Sequence, residues 1–174
     1  MRAASMRAAG MRLLRPPASA VVIPVPAATP LVHGAEPGMP PHVTLLWPFA
    51  RRIRAGHRRG LAAIAARHRQ FEFTLARVGQ FTGVVYLAPE PAAPFVDLIH
   101  AITDTWPRHQ PYAGAYPDVV PHVTARLGGG PLTDDERARL EAQLPIRCHA
   151  TEILLLAPDG EGWREDYRVP LTSA

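Results

Sequence analysis

Apolar residues fall along this chain with two periods, one of strands and one of helices. Ala20–Pro26 (AVVIPVP) is a short β-branched run that reads as a buried strand, and His42–Phe49 reads as the next. Residues 27–41 between them are rich in Pro, Gly and Ala and read as a loop with room for one helical turn. Over Arg54–Gln70 the period changes: Leu61, Ile64, Ala65 and His68 mark one face of an amphipathic helix. Phe71–Val78 (FEFTLARV) alternates apolar and polar as a half-buried strand does, and Gly79-Gln80 is placed to turn the chain into Phe81–Ala88 (FTGVVYLA) as a hairpin.

Beyond Pro89–Pro94, the residues Phe95, Leu98, Ile99, Ile102 and Trp106 share a helical face, and Pro107 ends that helix. Residues 108–119 form a loop rich in aromatic residues, Pro and Gly, and Val120–Leu127 is a further strand, broken by Gly128-Gly129-Gly130. Thr133-Asp134-Asp135-Glu136 has the form of a capping box at the start of a helix that runs to about Leu144. Ile146–Ala157 reads as a strand, Pro158-Asp159-Gly160 as a turn and Trp163–Leu171 as a last strand. In chain order the elements are β, β, α, β, β, α, β, α, β, β. This predicts an α+β fold with approximate internal duplication: two pseudo-twofold-related antiparallel sheet lobes flanking a central groove, with helices outside.

The duplication is sharpest in two of the strands. Pro41-His42-Val43-Thr44 and Pro121-His122-Val123-Thr124 repeat the same four residues eighty positions apart. Side chains i and i+2 of a strand share a face, so His42 and Thr44 point the same way, about 6–7 Å apart along the strand, as do His122 and Thr124. Two such strands side by side offer two imidazoles and two hydroxyls to one groove. That inventory suits acid–base chemistry on a phosphodiester: one neutral histidine takes a proton from water, and the other, protonated, gives one to the leaving ribose oxygen. The threonines can donate hydrogen bonds to the non-bridging oxygens. Arg126, at i+4 from His122, faces the same groove on a regular strand and is a candidate phosphate ligand. The first motif carries Leu46 at that place.

Aromatic residues near the motifs are candidates for stacking on a base. Tyr112 and Tyr116, in the loop before the second motif, are the favoured ones, whereas Trp47 and Phe81 read as core. Histidines 33, 57, 68, 100, 109 and 149 show no pairing pattern and read as surface or interhelical residues. A zinc site takes three or four protein ligands. Each motif supplies one histidine, and neither a metalloprotease helix motif nor paired cysteines occur, so no metal is expected.

Charge changes the picture less than its total suggests. The net charge is +4 and every one of the nineteen basic residues is arginine. Arg2, Arg7, Arg12 and Arg15 lie together in a stretch without acids, and the remaining fifteen arginines face fifteen acids. The part beyond the Ala/Arg-rich segment is therefore close to neutral and gives no compositional case for binding long nucleic acid. Met1–Ser19 reads as a poorly ordered extension without the apolar core of a secretory signal, and residues 20–174 as a single bilobal domain. The single cysteine, Cys148, excludes an intrachain disulfide and fits a reducing, cytoplasmic setting. No apolar run reaches the roughly 18–20 residues of a membrane helix.

The segments PPHVTLLWPF and PHVTARL, joined by FEFTLARVGQFTGVVYLAPEP and PYAGAYPDVV, resemble the 2H phosphoesterase superfamily, in particular its 2′-5′ RNA ligase/cyclic phosphodiesterase-like branch. The resemblance runs from about Val21 to Leu171, and the doubled His-x-Thr is its specific part. It implies a bilobal fold with catalytic His42 and His122 and phosphate-binding Thr44 and Thr124. It also implies hydrolysis of 2′,3′-cyclic or 2′-5′ phosphodiesters of RNA ends or nucleotides, reversible RNA ligation in some members, and no metal or organic cofactor. A nucleotide or RNA end is the expected partner of a monomer without an obligate protein partner. Two other readings stand beside it: a non-catalytic module that holds nucleotides or RNA ends in the same groove, and a 2H fold recruited to other small-molecule chemistry.

Overall fold

The two motif strands lie side by side at the centre of one curled antiparallel sheet, and the rest of the sheet is built outward from them. The computed structural model describes residues 18–116 and 118–173. Within them, β1 (Ala20–Pro24), β2 (His42–Leu46), β3 (Phe71–Phe81), β4 (Val84–Glu90), β5 (Val123–Leu127), β6 (Ile146–Ala150), β7 (Glu152–Pro158) and β8 (Trp163–Pro170) are ordered β6-β3-β4-β5-β2-β1-β7-β8. The helices are α1 (Ala55–Ala65), α2 (Ala93–Thr105) and α3 (Asp134–Glu141), with short 3-10 turns at Pro26–Leu31 and Pro111–Gly114.

Each half of that order is a four-stranded lobe whose innermost strand carries a motif. Among the named strands the lobes meet through one residue pair, Val43 opposite Val123, and isolated bridges at His33–Arg126 and Arg69–Thr172 join them beside it. The expected α+β architecture with two pseudo-twofold lobes is present, and the lobes are halves of one hydrogen-bonded sheet. One core serves both. Val21, Ile23, Val43 and Leu45 of one lobe and Phe73, Leu75, Val85, Leu87 and Val123 of the other pack in a single cluster with Leu61 and Ile64 of α1 and Phe95, Leu98 and Ile102 of α2. Phe95 is fully buried and meets the rings of Phe71 and Phe73 edge-on at 4.9 and 5.0 Å. Burying such a side chain contributes about 2–3 kcal/mol.

Because the helix-covered face takes Val43, Leu45, Val123 and Ala125, the alternate residues His42, Thr44, Thr124 and Arg126 are left on the opposite face, only partly buried. There a smaller cluster of Ala20, Val22, Leu154 and Leu156, with Met39, Trp47 and Trp163 against it, fills the groove side of the β1–β7 region. Trp47 is thus packed, as expected.

The structure departs from the sequence reading in several places, among them a β5 that begins at Val123 and not Val120 and an α3 that ends at Glu141 and not near Leu144. Ile146–Ala157 is two strands: β6 pairs with β3 through Phe71–Ala150, β7 pairs with β1 through Ala20–Leu156, and the chain changes lobes at Thr151. The β3–β4 turn lies at Thr82-Gly83, with Gly83 at φ 77, and not at Gly79-Gln80. α1 ends at Ala65, and the His68 ring binds the Ile64 carbonyl through Nδ1 at 2.8 Å beyond it. Lastly, Ser19 belongs to the folded part: it is buried and its Oγ donates to the Ala50 carbonyl at 2.8 Å. The remainder of the expected extension, residues 1–17, lies outside the described residues.

Candidate active site

The motif strands position four side chains from two lobes. In β2, His42 stands opposite Pro24 and Thr44 opposite Val22 of β1. In the other lobe Thr124 stands opposite Tyr86 of β4, and His122 immediately precedes β5. Val43 and Val123, which form the seam, are the residues between each His and Thr, so the seam itself sets the two His-x-Thr units face to face.

The imidazoles are held in the same way. His42 Nδ1 lies 2.7 Å from the Pro40 carbonyl, and His122 Nδ1 lies 2.7 Å from the Val120 carbonyl. A carbonyl only accepts, so in both rings Nδ1 carries a proton and donates it. In the neutral tautomer this leaves the lone pair on Nε2 of each ring. Burial lowers the pKa of both histidines; for His42 the Pro40 carbonyl acts in the opposite direction and the charge of His122 lowers it further. The two groups therefore sense each other across the seam, and protonation of one disfavours protonation of the other.

Tyr112 and Tyr116 flank the first motif. The Tyr112 amide donates to the Trp47 carbonyl at 2.6 Å; burial raises the pKa of its phenol, and the Thr44 side chain, toward which the phenol lies, opposes that rise. Tyr112 and Ala113 take φ of 52 and 56, left-handed backbone that costs about 1–3 kcal/mol for residues other than glycine. Tyr116 is 62% exposed and packs against Tyr112 with centroids 5.7 Å apart.

A second aromatic pair walls the other motif. Tyr86 stacks on Phe81 at 4.3 Å, and both rings approach His122, at 5.3 and 5.4 Å. Phe81 is 38% exposed and so is not the core residue its sequence setting suggests. Tyr86 did not stand out in the sequence. Its signal is Gly79 across the hairpin, where a Cβ would come within 2.2 Å of the Tyr86 ring. The guanidinium of Arg126 bends over the glycine loop, donating to the Gly128 carbonyl at 2.8 Å and lying 3.9 Å from Glu136. Among the described residues no group of three His, Cys, Asp or Glu side chains converges in a way that could hold a metal.

The doubled motif lies on paired central strands of a bilobal antiparallel sheet. A family model, the 2′-5′ RNA ligase superfamily, matches residues 31–162. The chain belongs to that superfamily, within the 2H phosphoesterases. No curated protein matches it in sequence. Among solved structures it is similar to Escherichia coli LigT complexed with 3′-AMP, at 20% identity and TM-score 0.59, covering 91% of this chain and 99% of LigT. It is similar also to LigT in apo form, at 21% identity and TM-score 0.61, covering 90% and 98%. TT0787 of Thermus thermophilus aligns at 14% identity and TM-score 0.60, covering 88% and 97%. At these identities the likeness is one of fold.

Proposed function

We propose that the protein is a metal-independent phosphodiesterase that opens 2′,3′-cyclic phosphates of nucleotides or RNA ends, with His42 and His122 as the acid–base pair. The observation that carries this reading is the matched tethering of the two rings: each Nδ1–H is spent on a backbone carbonyl at 2.7 Å, so each ring keeps Nε2 for chemistry. In the reaction, one neutral Nε2 takes a proton from water as the water oxygen bonds to phosphorus. The bond from phosphorus to one ribose oxygen breaks, and the other imidazolium gives that oxygen its proton. The product is a phosphomonoester, and the pair has exchanged one proton between its members. Thr44 and Thr124 donate to the non-bridging oxygens as charge builds there. LigT has been crystallised with 3′-AMP, phosphate, ATP and NADP+. A nucleotide carrying a 3′-phosphate is also what cleavage of the bond to the 2′ oxygen yields, which supports a ribose-phosphate substrate here.

The test is turnover of a 2′,3′-cyclic mononucleotide in EDTA by the wild-type chain and by His42→Ala and His122→Ala. We expect product with the wild type and a loss of about 10²–10⁴-fold in each variant, the usual contribution of a positioned acid or base. Turnover that survives either substitution would sink the mechanism. Nucleotide binding without product under any condition would favour the non-catalytic module.

A further inference from the structure

β5 loses its regular register just where it would carry a third polar side chain into the groove. Tyr86 and Val85 are adjacent in β4, yet they stand opposite Thr124 and Arg126, which are two apart in β5. Such a bulge re-aims the side chain beside it. The Arg126 guanidinium accordingly runs onto the glycine loop. Its Nη1 donates to the Gly128 carbonyl at 2.8 Å, and its Nη2 donates to the Gly130 carbonyl at 3.4 Å and lies 3.9 Å from Glu136. The loop is shaped to hold it: Gly128 and Gly129 take φ of 75 and 76, and a Cβ at Gly129 would come within 1.9 Å of Nη1. The loop in turn fastens the tip of the β3–β4 hairpin. The Gly128 amide donates to the Gly83 carbonyl at 2.8 Å, and the Leu132 amide donates to Gln80 Oε1 at 3.2 Å.

Phe81 lies between those two anchor points, Gln80 and Gly83. Its ring is 38% exposed, so burial alone does not fix it. It nevertheless stacks on Tyr86 at 4.3 Å, and both rings pack against His122. We propose that Arg126 is a positioning residue for His122 and not a phosphate ligand: it holds the glycine loop, the loop holds the hairpin tip, and the tip holds the Phe81–Tyr86 wall against the imidazole. That the placement of His122 governs turnover rests on the phosphodiesterase reading. A guanidinium suits the task because its planar, forked donors reach two carbonyls at once, which an ammonium point charge does less well. The first motif carries the fully buried Leu46 at the matching place, so the device serves one imidazole only.

The experiment uses two variants of the full chain. Arg126→Gln removes the fork, whereas Gly129→Ala keeps every charge and drives the guanidinium off the loop. Far-ultraviolet circular dichroism checks that both fold, and Arg126→Gln carries the test by itself if Gly129→Ala does not. The ring protons of His42 and His122 are followed by NMR at pH 8, where both imidazoles are neutral because both pKa values lie below 6.5. Phe81→Leu supplies the direction in which loss of the wall moves the His122 signals. Both variants should move them in that direction and leave those of His42 in place. Both should lower kcat/KM for a 2′,3′-cyclic mononucleotide about tenfold, as misplacement of a catalytic group does. Both should leave the affinity for inorganic phosphate at pH 8 unchanged. His122 signals that keep their wild-type positions overturn the proposal, as does undiminished turnover in variants of an active wild type. Phosphate affinity lost in Arg126→Gln and kept in Gly129→Ala also overturns it, since that is the pattern of a phosphate ligand. The NMR measurement needs no turnover. If the wild type opens no cyclic phosphate but the His122 signals move as expected, the catalytic reading fails and the positioning role stands.

Discussion

A histidine whose Nδ1–H is tied to a carbonyl has one nitrogen left to offer, and the two motif histidines share this arrangement. Their titration follows from where they sit. Burial lowers both pKa values from the ordinary 6.5, and the charge of His122 adds to the lowering of His42. The form able to supply a base and an acid together carries one proton on the pair. In the free protein it is populated between two macroscopic pKa values that belong to the pair as a whole. Below the lower value both rings are charged and no base is left; above the higher one both are neutral and no acid is left. Since both shifts are downward, kcat/KM for a cyclic mononucleotide is expected to follow a bell with its maximum below pH 6.5. A maximum at pH 7.5 or above would contradict the placement of these rings. At this scale the sequence was informative about identity and silent about surroundings. His42, Thr44, His122 and Thr124 were legible because a four-residue repeat is visible in one dimension. Tyr86 was not, because its approach to His122 depends on the pairing register of β4 with β5.

At the scale of elements, the β3–β4 hairpin shows how a strand can serve a site that it does not carry. Gly79 lies opposite Tyr86, and the bare backbone there gives the phenol ring room to lie over it, stacked on Phe81 and against His122. A Cβ at this position would come within 2.2 Å of the ring. Gly79→Ala is therefore expected to push Tyr86 from its place beside the imidazole and lower kcat/KM for a cyclic mononucleotide by about tenfold to 100-fold, the size of effect an ångström of misplacement can have. Circular dichroism checks that the variant keeps its secondary structure, and undiminished turnover would show that Tyr86 has no part in placing His122. Reading Gly79-Gln80 as the turn was reasonable from composition, since glycine serves turns and close approaches alike. The helices were read more easily. α2 buries Phe95, Leu98, Ile99 and Ile102, as its periodicity predicts. α3 begins with the reciprocal Thr133–Glu136 bonds that the capping box predicts.

For the whole molecule, the internal duplication raises the question whether the lobes are separate folding units. The named strands join them through a single residue pair, with two isolated bridges beside it, which alone would make a weak seam. The core argues the other way, because one continuous cluster takes in β1 and β2 from one lobe, β3, β4 and β5 from the other, and α1 and α2 over both. Neither lobe can unfold without exposing the apolar face of its neighbour. Thermal unfolding is therefore expected as one transition, with calorimetric and van't Hoff enthalpies equal and with tryptophan fluorescence and far-ultraviolet circular dichroism coincident. Two resolved transitions would mean that the lobes are energetically independent. No helix among the described residues is long and apolar enough to cross a membrane.

The sequence by itself determined the α+β class, the helix faces, and the four motif residues with their pairing on strand faces. These follow from periodicity and repetition, which are local properties. Only the tertiary structure decided the rest. It divided Ile146–Ala157 between two lobes, because strand partners are chosen by long-range pairing. It turned Arg126 onto the glycine loop, and set Phe81 and Tyr86 against His122. It brought His57 and His109 together on Phe49 beside Arg51, Arg52 and Arg54, although the two histidines are 52 positions apart in sequence. Each is a contact across many residues, and a side chain's neighbours at that distance are fixed by how the sheet closes and not by the residues beside it in the chain.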